Sequence, residues 1–208
     1  MRLHAAIDLT DTGGVSCAVF IFGPPAVGKM TVGQALAQQT GYALLHNHLV
    51  SDIVSPYFRS VTPQYARLTK SITQLLVDEL ARVHPGLIFT RTHCYDDPLD
   101  AEMMQTLLEL IGPARRCFVE LSAPLDVRLQ RNRTENRLLH KPSKRDLVAS
   151  EARVRRNDSR MFNPPDDVLP WAGERLRLDN SQLTPDEAAA RIAEHFGLLQ
   201  QPTEVART

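Results

Sequence analysis

Apolar residues along this chain gather into five short runs, separated by longer segments in which they recur at helical spacing. The runs are Val15 to Phe22, Tyr42 to Leu45, Leu87 to Thr90, Arg116 to Leu121 and Arg175 to Asp179. Their length and lack of a helical period predict buried strands. The intervening segments predict helices: one ending at Gly41, a short one over Leu49 to Phe58, and a longer one from Gln64 to His84. In that longer helix Leu68, Ile72, Leu75, Leu76 and Leu80 fall on one face. Asp97 and Pro98 supply an N-cap and first-turn pair for a helix running to Ile111, where Gly112-Pro113 stops it. Further helices are predicted from Pro124 to Arg131, from a Ser143 cap to Asp158, and after Pro185.

Strands that alternate with helices imply βαβ units, right-handed crossovers and a parallel sheet with helices on both faces. The class is therefore α/β. Neither an internal repeat nor a dividing linker appears, so residues 1–208 are expected to form one domain, with 1–14 as a flexible arm and 198–208 as a polar tail.

The first run leads into Gly23-Pro24-Pro25-Ala26-Val27-Gly28-Lys29, which fits the first seven positions of the phosphate loop G-x-x-x-x-G-K-[ST]. Its place between a strand and a helix is the context that gives the motif meaning. Gly23 and Gly28 permit backbone angles closed to other residues, so the loop can curl and aim its amides at one point. The following helix N-terminus adds positive potential there. Lys29 adds a full charge for the β- and γ-phosphates. The eighth position departs from the pattern: Met30 stands where a hydroxyl would ligate Mg2+, and Thr31 comes one place later.

Composition narrows the partners. With 24 basic and 24 acidic residues the formal net charge is zero, which argues against nucleic acid or an anionic membrane as the main partner. Hydrophobic residues make up 43% of the chain and charged residues 23%, the balance of a globular protein with a sizeable core. Cys17, Cys94 and Cys117 form no disulfide framework or zinc spacing, which suits a reducing, cytoplasmic setting. Cys17 and Cys117 lie in apolar runs and read as core thiols. No stretch is apolar enough to span a membrane.

With the phosphate loop as the specific match, Val15 to Phe196 resembles the P-loop kinases of small molecules: adenylate kinase, shikimate kinase, gluconate kinase and their relatives. Gly23 to Thr31 is most similar to the adenylate-kinase loop, in which a non-hydroxyl residue also follows the lysine, a threonine comes next, and Mg2+ is held largely through water. The phrase G-P-P-A-V-G-K-x-T with a later H-N-H also resembles a bacterial "AAA family ATPase" or shikimate kinase-like group. This resemblance implies a three-layer α/β/α P-loop NTPase fold with a five-stranded parallel sheet and a small helical lid. It implies ATP and Mg2+ as cofactors, a small-molecule acceptor as partner, and a monomer or homodimer. Gly23, Pro25, Ala26, Val27, Gly28, Lys29, Met30 and Thr31 would bind the nucleotide.

The resemblance places the acceptor beyond the second strand, at His46-Asn47-His48 with Asp52, where shikimate and gluconate kinases carry an acidic pair. On an extended strand end His46 and His48 would point the same way, and either suits a general base near neutral pH. Asp52, one helical turn on, would orient a histidine or take the proton itself. The alternative reading is that one imidazole caps a helix or bonds a carbonyl. A lid is expected over about 128–145, where seven basic residues face one acid, Glu135. Arg131, Arg133 and Arg137 are its candidates for offsetting charge on the transferred phosphoryl group. A solvated surface and a nucleic-acid contact are the competing readings of that run.

At the third strand's exit, Phe89-Thr90-Arg91-Thr92-His93 lacks the Asp-Glu pair of a remodelling ATPase. Arg91 there is a candidate for an anionic acceptor, against a surface salt bridge. The fifth strand's exit, Leu178-Asp179-Asn180-Ser181, would lie near the adenine by analogy. The expected function is transfer of the γ-phosphoryl group of ATP to a small-molecule hydroxyl. A nucleotide-binding regulatory ATPase and a nucleoside or nucleotide kinase are the alternatives.

Overall fold

The computed structural model describes residues 14–46, 48–59, 62–133, 146–163 and 170–199, with the backbone alone for His48. Five strands form one parallel sheet in the order β2-β3-β1-β4-β5: β1 (Cys17–Phe22), β2 (Ala43–His46), β3 (Leu87–Thr90), β4 (Arg115–Ser122) and β5 (Glu174–Asp179). Among the described residues seven helices accompany it: α1 (Lys29–Thr40), α2 (His48–Val54), α3 (Pro63–Val83), α4 (Pro98–Ile111), α5 (Leu125–Asn132), α6 (Leu147–Arg156) and α7 (Pro185–Phe196). The expected five-stranded α/β architecture is present.

β1 is buried along its whole length because it pairs with a strand on either side and is covered on both faces. One face carries Val19, Ile21, Ile88, Cys117, Val119, Leu121 and Leu178, packed under α1 and α7. The other carries Phe20, Phe22, Phe89 and Phe118 beneath Val77 of α3 and Met104, Leu108 and Ile111 of α4. Three of these rings lie nearly parallel, Phe20 to Phe89 at 5.0 Å and Phe20 to Phe118 at 5.4 Å between centroids. Aromatic burial of this extent is the main apolar contribution on that face. Cys17 and Cys117 are core thiols, as expected, and Cys94 is buried too.

Small residues set how closely α1 approaches the sheet. A Cβ at Gly33 would stand 2.9 Å from Thr90 Cγ2 and 3.0 Å from Leu44 Cδ1, so the helix rests almost directly on β2 and β3. That contact fixes the start of α1 relative to the strand ends around it.

Several boundaries differ from the sequence expectation. β2 is shifted by one residue and includes His46, and the first turn of α2 already includes His48. α2 stops at Val54 rather than Phe58, because Pro56 has no N–H to give and disfavours helix at Ser55. On α3 the buried residue is Val77, while Leu68 and Leu75 are 41% and 66% exposed. The apolar positions there cover more than one stripe, and α3 docks through Val77, Leu76 and Leu80.

Asp97 caps α4 by accepting from Leu99 N, with Pro98 following as expected. α6 begins after Asp146, whose side chain accepts from Ala149 N; the proposed cap Ser143 lies outside the described residues. α7 opens with a Thr184–Glu187 capping box. Beyond α7 the polar tail does not begin at once, since Leu198 is buried in the core. The arm over 1–13 and the tail from residue 200 lie outside the described residues. Among the described residues no helix is long and apolar enough to cross a membrane.

Candidate functional site

All five strands run the same way, so their C-terminal ends and the connections leaving them share one edge of the sheet. In open α/β sheets that edge is where ligands bind. Here it gathers the loop after β1, His46 at the end of β2, Arg91 to Tyr95 after β3, Ser122 at the end of β4 with Ala123 behind it, and Asn180 and Ser181 after β5.

The loop after β1 has the conformation that its glycines predict. Gly23 has φ +136°, Ala26 +66° and Gly28 +105°. Gly23 is required twice over, because a Cβ would also stand 2.4 Å from the Leu121 carbonyl oxygen of β4. Gly28 is the left-handed N-cap of α1, with no side-chain cap on the helix. The first-turn amides are thus left for a ligand. Lys29 Nζ donates to the Gly23 and Pro24 carbonyls at 2.7 and 2.8 Å, which holds its charge over the loop mouth. Thr31 Oγ1 donates to Gly28 O at 2.8 Å.

A second set of bonds ties this loop to the far side of the sheet. The Val27 carbonyl accepts from Arg131 Nη1 at 2.9 Å and from Asn180 Nδ2 at 2.9 Å. Arg131 Nη2 also donates to Asn180 O at 2.7 Å. Arg131 was expected in the lid. It lies instead in α5, joining the phosphate loop to the exit of β5, and burial pulls its guanidinium below the usual arginine range. Arg128, at the expected start of the lid, is buried and pairs with Asp158 and the Ala123 carbonyl. Arg133 pairs with Glu151 of α6 at 2.5 Å on the surface, and Asn132 accepts from Ser150 Oγ at 3.0 Å. Residues 128–132 therefore belong to the body of the fold. Arg137 lies outside the described residues.

The acceptor-side residues are only partly brought together. His46 is half-buried at the end of β2, level with Thr90 of β3. His48 belongs to a helix, so the two histidines do not share an extended segment and the alternation argument fails. Asp52 is exposed on α2. Arg91 is neither a surface ion pair nor an open cation: it is buried, with Nη2 2.7 Å from Asp100 Oδ1. The other Asp100 oxygen accepts from Cys94 N at 2.9 Å.

Sequence reasoning missed the cluster behind this edge. Glu120 is fully buried opposite Phe22 in the register and accepts from Tyr95 Oη at 2.8 Å, Arg175 Nη2 at 2.7 Å and Arg177 Nε at 3.0 Å. A lone acid within the apolar run Cys117 to Leu121, with two arginines at alternate positions on the fifth strand, was the signal. Trp171 and Tyr95 pack edge-on around the buried His93 ring at 4.9 and 4.6 Å. Burial holds His93 down to about 4 from 6.5.

A divalent cation would find few ligands at this edge. Met30, at the position of the usual hydroxyl, is buried. Among the described residues no three His, Cys, Asp or Glu side chains cluster to hold a metal. Asp97 is occupied by Leu99 N and Arg160, and Asp100 by Arg91 and Cys94 N. The described residues do not fit a directly ligated Mg2+.

No family model matches the chain, and no curated protein matches it. Solved structures do. A kinase candidate from Chloroflexus aurantiacus is similar with a TM-score of 0.56 at 20% identity, over 90% of this chain and 99% of that one. The tunicamycin resistance protein of Deinococcus radiodurans gives 0.54 at 18% identity, over 90% and 99%. A sugar kinase from a Janibacter species gives 0.51 at 17% identity, over 88% and 95%. At these identities the likeness is one of fold: the chain has a P-loop kinase-like fold.

Two outcomes follow from this geometry. The left-handed backbone of Ala26 costs about 1–2 kcal/mol, and the unfolded-state entropy of glycine takes back about 0.4–1 kcal/mol of that, so Ala26→Gly should raise stability to urea by about 0–1.5 kcal/mol. A clear loss of stability would contradict the positive φ. His93 is kept neutral in the fold while the unfolded chain protonates near 6.5. Stability is therefore complete above pH 6.5 and falls as pH drops from 6.5 toward 4, by up to about 3 kcal/mol. In His93→Phe that part of the slope should vanish from urea titrations run across the same range.

Proposed function

We propose that the chain is an ATP-dependent phosphotransferase that moves the γ-phosphoryl group to a hydroxyl of a small molecule. The observation that carries this reading is the loop Gly23 to Lys29, curled by three positive-φ residues between a buried strand and an uncapped helix N-terminus. Amide groups, helix potential and one ammonium converging on a point suit a polyphosphate better than any other common ligand. The P-loop kinase-like fold agrees with it.

In this reading the loop from Gly23 to Gly28, with Pro25, Ala26 and Val27 between, cradles the phosphates. Lys29 bridges the β- and γ-phosphates, and Thr31 takes the phosphate nearest the helix. Met30 closes the loop from the core side. Arg131 holds the loop against Asn180, where the base would lie. Arg133 and Arg137, in the basic run expected to form a lid, would offset charge as the phosphoryl group moves. A divalent cation supplies further neutralisation of the phosphates when bound.

At the acceptor end, His46, His48, Asp52 and Arg91 border the exits of β2 and β3. The acceptor oxygen forms a bond to γ-phosphorus, the β–γ bridging bond breaks, and the hydroxyl proton passes to His48 or Asp52. Arg91 contributes through Asp100, which keeps the β3 exit in place, and not as an open cation. The reaction is one of positioning and electrostatics, with little covalent work for the protein.

A second reading, a nucleotide-binding regulatory protein with weak catalysis, is favoured by Met30 and by the absence of an acid at the end of β3. A nucleoside or nucleotide kinase is a third, differing only in the acceptor. Coupled ADP release across a metabolite panel separates them. A transferase gives acceptor-dependent turnover that Asp52→Asn or His48→Ala reduces, whereas a regulator binds ATP with no acceptor-dependent release.

Lys29→Ala should weaken ATP binding by about 1.5–3 kcal/mol, the cost of a lost charge-assisted contact, or roughly ten- to a hundredfold in Kd. Calorimetry on the folded variant measures it. Unchanged affinity, or no binding by the parent chain, would remove the basis of the assignment.

A further inference from the structure

Resting on the phosphotransferase reading, we propose that the acceptor is an uncharged alcohol whose hydroxyl sits on an apolar framework, seated against the uncovered face of α2. Acceptors built around a carboxylate, a phosphate or a polyol are then the poor ones. The position of α2, its exposed side chains and the charges around it carry this.

α2 starts at the ligand edge of the sheet, since β2 ends at His46 and the helix begins at His48. Val50 and Val54, one turn apart, are buried and dock it on the body. Asp52, the candidate proton acceptor, is exposed. Leu49 stands three places before Asp52 and four before Ile53, so the three are neighbours on one uncovered arc. Leu49 and Ile53 are 39% and 55% exposed. The chain keeps turning beyond the helix, where Tyr57 N donates to Val54 O at 3.1 Å, and Tyr57 is 79% exposed. Single exposed apolar residues are ordinary. Three large ones beside the candidate base, on a segment that begins at the ligand edge, mark a surface that a ligand covers.

Charge decides the kind of ligand. From Leu49 to Arg59 the full charges are Asp52 and, after the Pro56 break, Arg59. Arg91, at the exit of the neighbouring strand β3, is buried and committed to Asp100 at 2.7 Å. His93, two residues on, is buried, and that burial keeps it neutral. An anionic group on the acceptor would therefore stand near Asp52 without Arg91 to offset it. A hydroxyl that reaches Asp52 instead leaves its carbon frame against Leu49, Ile53 and Tyr57. Covering those side chains removes apolar surface from water, which favours such an acceptor.

The test is acceptor-dependent ADP release by the full chain at saturating ATP, with calorimetry of ATP binding alongside. The probes are the primary alcohols from ethanol to hexanol, ω-hydroxyhexanoate, glycerol and gluconate. Along the alcohols kcat/KM should rise about two- to fourfold per methylene. The ω-hydroxyhexanoate value should fall at least about tenfold below that of hexanol, because its carboxylate loses water without gaining a partner. Ile53→Ser, at an exposed position, should lower kcat/KM for hexanol about fivefold and for ethanol less than about twofold, with ATP affinity unchanged. Leu49→Ser serves as a second variant with the same expectation.

A flat series overturns the inference and leaves the phosphotransferase reading intact. So does a variant effect equal for both alcohols, or turnover of ω-hydroxyhexanoate, glycerol or gluconate as fast as hexanol. Self-association in sedimentation that Ile53→Ser abolishes assigns the face to a second copy and likewise overturns it. Absence of ATP binding, or binding with no release for any acceptor, overturns both.

Discussion

The Val27 carbonyl is the point from which the candidate site hangs. It belongs to the phosphate loop, yet its two donors come from α5 and from the exit of β5, on the opposite side of β1 from β2 and β3. A loop with three positive-φ residues has no regular hydrogen-bond ladder of its own. Something outside it must fix its shape. Arg131 and Asn180 do so with groups that are themselves sheltered, and the Asn180 amide in turn donates to Ser122 at the end of β4. Loop, β4 exit and β5 exit are thus tied together by hydrogen bonds, and the backbone strain at Ala26 is held by that frame.

Around this piece the sheet divides its labour by face. The face under α1 and α7 is aliphatic, with small residues that bring the phosphate-loop helix close. The face under α3 and α4 is aromatic in its middle and turns polar toward the strand ends. There Glu120 meets two β5 arginines and Tyr95, beside His93 and Trp171. A carboxylate with no exposed surface is tolerable only with such partners, and taking one away would be far costlier than the network's net contribution. The same edge that offers open amides to a ligand is backed by a closed set of charges.

Much of this was legible in the chain. Five runs of the right length, a G-x-x-x-x-G-K loop between strand and helix, and the Asp97-Pro98 start of α4 are local signals, and each was met in the structure. Less legible were features set by register and packing. His46 and His48 look like neighbours on a strand until β2 is seen to end between them. Arg131 and Arg133 look like one basic run, yet one turns inward to the loop and the other outward to Glu151, because successive odd positions on a helix face different ways. Arg91 read as either a contact for an anionic acceptor or a surface salt bridge, and its buried pairing was not legible because Asp100 stands nine residues later, across a turn. The buried state of Glu120 needed the pairing of β4 with β5, which no local pattern specifies.

The single tryptophan of the chain has an unusual address. Trp171 leans on His93, on Tyr95 and on Phe22, the residue from which the phosphate loop departs. Indole emission responds to neighbouring rings and to their charge, so this protein carries one intrinsic lamp, set where strand ends, buried imidazole and the start of the Gly23–Gly28 loop adjoin. A rearrangement that changes the contacts of Trp171 with His93, Tyr95 or Phe22 is therefore open to a fluorescence reading in the native chain, with no dye attached.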